Sequence, residues 1–145
     1  MNPHGILRVV SKLLIPFIAI FAFYVQFHGD YGPGGGFQAG VILAASVILY
    51  ALIFGLDAAK AAVPPSWVRF GMMMGVALYG GTGVATWFFG GEFLDYGVFS
   101  PEHPSHGQHY GILLVELGVL CAVASVMLAI FYAFGSRQAE ITDED

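Results

Sequence analysis

Four long apolar stretches, separated by short polar or glycine-rich connections, dominate the pattern of hydrophobic and polar positions along the chain. They cover residues 8–27, 37–56, 70–89 and 111–134. Each stretch is as long as a helix that crosses a lipid bilayer, which needs about 20 apolar residues. The runs are continuous rather than alternating, which indicates helices rather than the strands of a barrel. The sequence therefore predicts an all-α membrane protein with four transmembrane helices, in a single domain over residues 1–135.

Charged residues are scarce, and the basic ones fall on one side of the predicted bundle. Charged residues make up 10% of the chain, against roughly 25% in a soluble domain. The basic residues lie near the two termini or in the connection between the second and third stretches: Arg8, Lys12, Lys60, Arg69 and Arg137. Because basic loops stay in the cytoplasm, both termini are predicted to be cytoplasmic in a multi-pass protein of the cell's inner (plasma) membrane. The segment 136–145 is predicted to be an acidic, solvated cytoplasmic tail. The net charge of -5 gives no reason to expect a nucleic acid partner.

The connection between the first two stretches, HGDYGPGGGFQAG, is unusually rich in glycine. Its proline has no N–H and cannot continue a helix, and its glycines allow backbone conformations that are closed to other residues. The sequence therefore predicts a tight hairpin between two helices at the outer edge of the membrane. The residues assigned to this motif are His28, Asp30, Pro33, Gly34, Gly35, Gly36, Phe37 and Gly40. The glycine run lacks the G-K-[ST] ending of a phosphate-binding loop and follows a helix rather than a strand, which argues against nucleotide binding.

Small residues at helical spacing predict which helix faces pack closely, because they let two backbones approach each other in lipid. The third stretch has Gly71 and Gly75 on one face, followed at the same spacing by Ala77, Gly81 and Ala85. Two of its faces are therefore thin, and helical neighbours are expected on both. The fourth stretch has a single stripe of such residues: Gly118, Ala122, Ser125, Ala129 and Ala133.

Glu116 is the single charged residue in the fourth stretch. An acid at this depth, about 8 Å below the start of the helix, faces a partner or a cavity by default and marks an ion pathway. It lies about 140° round the helix from the small-residue stripe. If that stripe makes the close packing within the chain, Glu116 is expected to point away from the bundle, toward another subunit or a water-filled crevice. The alternative is a structural carboxylate that is hydrogen-bonded to a neighbouring helix.

Three histidines at three-residue spacing, His103, His106 and His109, precede the fourth stretch. Such spacing can gather imidazoles toward a metal ion in a helix, but Pro101 and Pro104 argue against regular helix there. No acid or cysteine completes a ligand set, so no metal and no cofactor are predicted. Nor does any nucleophile accompany a base, so the chain is predicted to have no catalytic residue and not to be an enzyme.

A path for ions is the remaining role for these polar residues. If the fourth helix extends back to His109, that imidazole lies two turns above Glu116 on the same face. A proton or cation could then pass from the outer surface toward the acid. The candidate residues for this path are Glu116, His109 and His106, and the alternative is a polar loop that contacts a partner.

Two segments, HGDYGPGGGFQAGVILA and HGQHYGILLVELGV, resemble the MrpB/MnhB family of small membrane subunits, which belong to Mrp/Mnh-type multisubunit sodium–proton antiporters. The resemblance covers nearly the whole chain and implies an accessory membrane subunit in the lipid bilayer. It implies other antiporter subunits as partners and the sodium ion and the proton as transported species. Carried over by position, the run from Pro33 to Phe37 is the hairpin motif, and Glu116 is the membrane acid. Asp30 stands where the family often has histidine, and Ala39 replaces a frequent glycine, which argues against a histidine-based role for the hairpin.

Three other functions stay open at this point. The first is a small membrane subunit of a complex I-like redox complex that pumps ions, of the membrane-bound hydrogenase type. The second is a purely structural spacer without ion contact, and the third is a stand-alone channel. A channel would require several copies of the chain, because one membrane acid in four helices is little material for a complete pathway.

Overall fold

The computed structural model is a bundle of helices, and it describes residues 3–29 and 32–143, with side chains for 5–29 and 32–137. The α-helices are α1 Pro3–His28, α2 Gly36–Phe54, α3 Leu56–Ala62, α4 Pro65–Phe88 and α5 Pro104–Asp143. A short 3-10 turn, Tyr96–Phe99, lies between the last two. No strand occurs in the described residues, so the prediction of an all-α protein is confirmed.

Three of these helices are long and apolar enough to cross a membrane: Gly5–His28 in α1, Gly36–Phe54 in α2 and Pro104–Arg137 in α5. The third predicted stretch, residues 70–89, falls almost entirely within α4, which is not one of the three. Helix α4 is long enough, but its many glycines and its two threonines contribute little hydropathy. The structure therefore supports three candidate spans directly, and a fourth depends on how α4 is covered.

Helix α5 differs most from its predicted limits. It begins at Pro104 rather than near residue 111, because proline suits the first turn of a helix, where its missing N–H has no intrahelical partner. It also continues to Asp143, so the backbone of the predicted tail is helical over residues 136–143. The acidic side chains of the tail lie outside the residues whose side chains the structure describes.

Helix α5 is central, with α4 on one face and α2 on another, while α1 packs mainly on α2. The small-residue stripe makes the α4 contact as predicted: a Cβ at Gly75 would lie 2.5 Å from the backbone nitrogen of Ala122. At Gly71 it would meet the Ser125 hydroxyl. The second thin face of α4 has no such neighbour in the described chain, since nothing lies within 4 Å of a Cβ placed at Gly81. The expectation of helical neighbours on both faces is therefore wrong for the isolated subunit.

One end of the bundle is closed by α3. Gly55, with φ 100°, ends α2 in a conformation that side chains rarely adopt, and α3 then folds against the last turns of α5. The Tyr132 hydroxyl lies 3.2 Å from the carbonyl oxygen of Ala59 and 3.0 Å from that of Val63. Lys60 donates a hydrogen bond to the Ser136 hydroxyl at 2.6 Å. The buried cluster at this end consists of Ala44, Ala51, Ala59, Val68, Leu128 and Tyr132.

The connection from α4 to α5 folds back on the opposite end. Thr86 is fully buried, and its hydroxyl lies 2.7 Å from the carbonyl oxygens of Gly83 and Glu92 while accepting the Leu94 N–H at 3.0 Å. The Tyr96 ring covers Gly111 on α5, where even a methyl group would clash with it. These contacts hold the connection over the ends of α4 and α5.

Candidate functional site

The glycine hairpin folds back onto the last turn of α1. The Gly35 N–H donates to the Val25 carbonyl at 3.2 Å, and the Gly32 N–H donates to the His28 carbonyl at 3.1 Å. A Cβ at Gly34 would lie 2.6 Å from the same Val25 oxygen, so no side chain fits there. Gly35 has φ 127°, a conformation that favours glycine. The hairpin therefore needs glycine both for its space and for its backbone angles.

Glu116 lies against this hairpin. Its two carboxylate oxygens are 3.1 and 3.2 Å from the position that a Cβ would take at Gly29, and one of them is 3.1 Å from that position at Gly35. The backbone carbonyl of Glu116 touches Gly36, the first residue of α2. The acid is thus held between the end of α1 and the beginning of α2, and the absence of side chains at the glycines makes the space for it.

This position corrects one sequence-based inference. Glu116 does lie on a different face of α5 from the stripe that packs on α4, as the helical spacing predicts. However, that face meets the hairpin of the same chain, and the side chain is only partly exposed. The expectation that Glu116 points away from its own bundle is wrong, because α5 is a central helix with neighbours on two faces.

The carboxylate also lies at the positive end of a helix dipole. The N-cap of α2 is Gly35, which has no side chain to accept a hydrogen bond from the first turn, and that turn contains no acidic residue. A carboxylate beside a helix N-terminus stabilises it by about 0.3–1 kcal/mol, and by up to about 2 kcal/mol when partly buried. Glu116 therefore supplies from α5 the negative charge that α2 lacks at its own beginning.

Two glutamines near this acid were not singled out from the sequence. The side-chain oxygen of Gln38 lies 3.5 Å from the Cβ position at Gly35, the position that the Glu116 carboxylate also approaches. Gln26 lies in the last turns of α1 and is 1% exposed. A neutral amide in an apolar run is a weak sequence signal, and burial is what distinguishes Gln26 from other glutamines of the chain.

The outer histidines occupy the exposed beginning of α5. Because α5 begins at Pro104, His109 is helical and lies two turns before Glu116 on the same face. His106 lies about 80° round the helix from Glu116, and its ring is 5.7 Å from that of His103. In the described residues no group of three or more histidine, cysteine, aspartate or glutamate side chains is placed to hold a metal ion.

The remaining hairpin residues surround the acid at greater distance. The His28 ring stacks on Tyr24 with centroids 5.1 Å apart, and its Nε2 lies 3.2 Å from the Cβ position at Gly32. Phe37 is 62% exposed and points away from the bundle surface that α2 shares with α5. Asp30, which the sequence analysis assigned to the motif, lies outside the described residues.

Neighbouring features add no second acidic site. Burial raises the pKa of the Tyr96 phenol above its ordinary value, and Tyr79 raises it further, so this phenol stays protonated at neutral pH. Two clefts of about 260 and 200 Å³ lie along α5 and are lined mainly by apolar side chains. Glu116 lines neither of them.

Comparison with known proteins identifies relatives over almost the whole chain. A family model described as a domain related to the MnhB subunit of the Na+/H+ antiporter matches residues 6–129. Proteins named antiporter subunit mnhB2 from Staphylococcus aureus strains Newman, JH1 and Mu3 are each 34% identical over 136 residues. Each alignment covers 92% of this chain and 96% of the relative. The resemblance predicted from the two motifs is therefore confirmed.

Proposed function

Because this chain belongs to the MnhB family of Na+/H+ antiporter subunits, we propose that its hairpin and Glu116 contribute to the path of the exchanged ions. The chain is a subunit of a multisubunit Na+/H+ antiporter and a component of a transporter, and its partners include other subunits of that complex. The single observation that carries the proposed role is the position of the Glu116 carboxylate against the glycine hairpin.

The proposed topology has four membrane crossings, with α4 as the third and both termini in the cytoplasm. Its support is the distribution of charge. Arg8 and Lys12 lie over the Phe54 ring at the end of α2, at 5.9 and 5.6 Å from its centroid. Lys60 bonds to Ser136, next to Arg137. The basic residues of separate segments thus gather at one end of the bundle, the end that the positive-inside rule assigns to the cytoplasm of a plasma-membrane protein.

The proposed path begins at the opposite end. His109 and His106 lie on the exposed beginning of α5 and offer imidazoles that can take up or release a proton near neutral pH. Glu116 follows two turns inward on the face of His109. Sodium ions and protons are the proposed transported species, and membrane lipid or neighbouring subunits cover the exposed apolar side chains of α1 and α4.

A structural role is the second candidate, and a specific observation favours it. The Glu116 carboxylate compensates the uncapped beginning of α2, which by itself would explain a membrane acid at this position. Such a spacer would hold neighbouring subunits in place without contacting an ion. The two candidates differ in what happens when the charge is removed and the shape is kept.

We expect Glu116→Gln to lower Na+/H+ exchange by at least about tenfold, while the complex still assembles. Glutamine keeps the size and hydrogen-bonding groups of the side chain but cannot bind a transported proton or pair with a cation. The measurement is exchange in inverted membrane vesicles, combined with the amounts of the other subunits that copurify in mild detergent. Glu102→Gln, at an exposed acid of the outer connection, is the matched control. Full exchange in Glu116→Gln would contradict the path and favour the spacer.

A second variant tests the outer end of the path. His109→Gln is expected to lower the exchange rate several-fold, because it removes a group that carries protons near neutral pH on the face of Glu116. His103→Gln, which lies before the first residue of α5, should leave the rate unchanged. Equal rates in these two variants would exclude His109 from the path.

A further inference from the structure

Gln26 is a buried amide whose hydrogen-bonding groups have no partner. The side chain is 1% exposed, and neither its Nε2 nor its Oε1 makes a hydrogen bond in the described structure. Gln26 and Thr86 are the largest fully buried side chains in the described residues. The Thr86 hydroxyl has three close polar neighbours, whereas the amide of Gln26 has none. An unpaired amide is costly in an apolar interior, so a sequence that retains one needs a reason.

Gln26 lies one turn below the Glu116 site. It precedes Gly29 by three residues on α1, and the Cβ position at Gly29 is 3.1 Å from a Glu116 carboxylate oxygen. Positions three apart on a helix have Cβ atoms about 5–6 Å from each other. Ala22, one further turn down α1, is also fully buried, so this face of α1 is covered by the rest of the chain. The amide is therefore the next polar group inward from the carboxylate along α1.

The chemistry of an amide limits what can occupy this place. Both a donor and an acceptor are unpaired, so the occupant must accept from Nε2 and donate to Oε1. A sodium ion would bind the oxygen only and would face the N–H groups unfavourably. The side chain of another subunit cannot reach an amide that is 1% exposed. Water both donates and accepts, and it is the usual partner of buried polar groups.

We propose that Gln26 binds water inside the subunit and that this hydrated amide extends the polar path from Glu116 inward between α1 and α2. A proton can move along such a line by exchange of hydrogen bonds between the carboxyl group, water and the amide's neighbours, with no covalent change in the glutamine. The transport half of this inference rests on the proposed function of Glu116. The hydration half concerns Gln26 alone.

The test uses the assembled complex in lipid, with isotope-labelled glutamine. Solid-state magnetic resonance detects transfer of magnetisation from water to side-chain amides, and loss of one signal in Gln26→Leu identifies that of Gln26. We expect the Gln26 amide to be in contact with water. We also expect Gln26→Leu to lower exchange by roughly tenfold, about the effect of losing one or two hydrogen bonds. Gln108→Leu, at an exposed position on α5, should exchange normally.

Two results would overturn the inference: no contact between water and the Gln26 amide, or normal exchange in Gln26→Leu. Gln26→Met, an unbranched side chain of similar length, replaces the leucine variant if that one does not assemble, and the hydration measurement needs no variant. Failure here is distinguishable from failure of the proposed function. Loss of exchange in Glu116→Gln with normal exchange in Gln26→Leu would remove only the inward extension, whereas normal exchange in Glu116→Gln would remove the path itself.

Discussion

Gly36→Ala is expected to separate α2 from α5 and to abolish most of the exchange activity. A methyl group at Gly36 would clash with the backbone carbonyl oxygen of Glu116 and would lie 2.9 and 3.1 Å from its carbonyl carbon and Cα. Backbone atoms cannot rotate away as a flexible side chain would, so the beginning of α2 must move. We expect a loss of about 1–3 kcal/mol in the free energy of unfolding. Because the same movement displaces the hairpin from the Glu116 carboxylate, exchange should fall by at least about tenfold even where the subunit still assembles.

The matched control for this variant is Gly80→Ala on α4, where nothing lies within 4 Å of the added Cβ. Alanine is about 1 kcal/mol more favourable than glycine in a helix interior, so the control should be as stable as the parent protein or slightly more stable. The measurements are the thermal midpoint of the purified complex and exchange in vesicles. If Gly36→Ala retains the stability and activity of the control, α2 and α5 are not in backbone contact at Glu116.

Gly75→Ala is expected to be the most destabilising alanine substitution on α4. A Cβ at this position would lie 2.5 Å from the backbone nitrogen of Ala122 and 2.7 Å from the carbonyl oxygen of Gly118. Both helices would have to move apart along their closest crossing. The expected loss is at the upper end of the overpacking range, about 3 kcal/mol. In lipid this close approach of backbones is the main attraction between helices, because lipid tails are as apolar as the side chains that would otherwise be buried.

The amount of protein that accumulates in the membrane, and its resistance to a denaturing detergent, measure this effect. Gly80→Ala is again the control, since it introduces the same methyl group into the same helix at a position with open space. The opposite signs of the two variants would exclude an effect of helix propensity. Equal accumulation and equal detergent resistance in the two variants would show that α4 does not cross α5 at Gly75.

Much of the fold was predictable, because the features that produce it are local. Continuous apolar stretches predict helices, and the small-residue stripe of the fourth stretch correctly identified the face that packs on α4. The ends of α5 were less accessible. Pro104 was interpreted as a helix breaker, although proline also begins helices, and the same residue type supports either interpretation until the following turn is known to be helical.

The candidate site was predictable in its members but not in its assembly. The single acid of the fourth stretch and the glycine run stand out from an apolar sequence, and the structure brings these two together. Gln26 and Gln38 were missed because a neutral amide changes hydropathy less than a charge does. The importance of Gln26 depends on its burial and on its unpaired atoms, and neither property has a local sequence signal.

The sequence by itself determined that this chain is a helical membrane protein, which face of α5 carries the small residues, and that the hairpin must be built from glycine. Only the tertiary structure decided what Glu116 meets. Helical periodicity gives the direction of a side chain around its own axis, but its neighbour depends on how helices distant in sequence dock. In this bundle α5 docks between α2 and α4, so the acid faces the hairpin of its own chain.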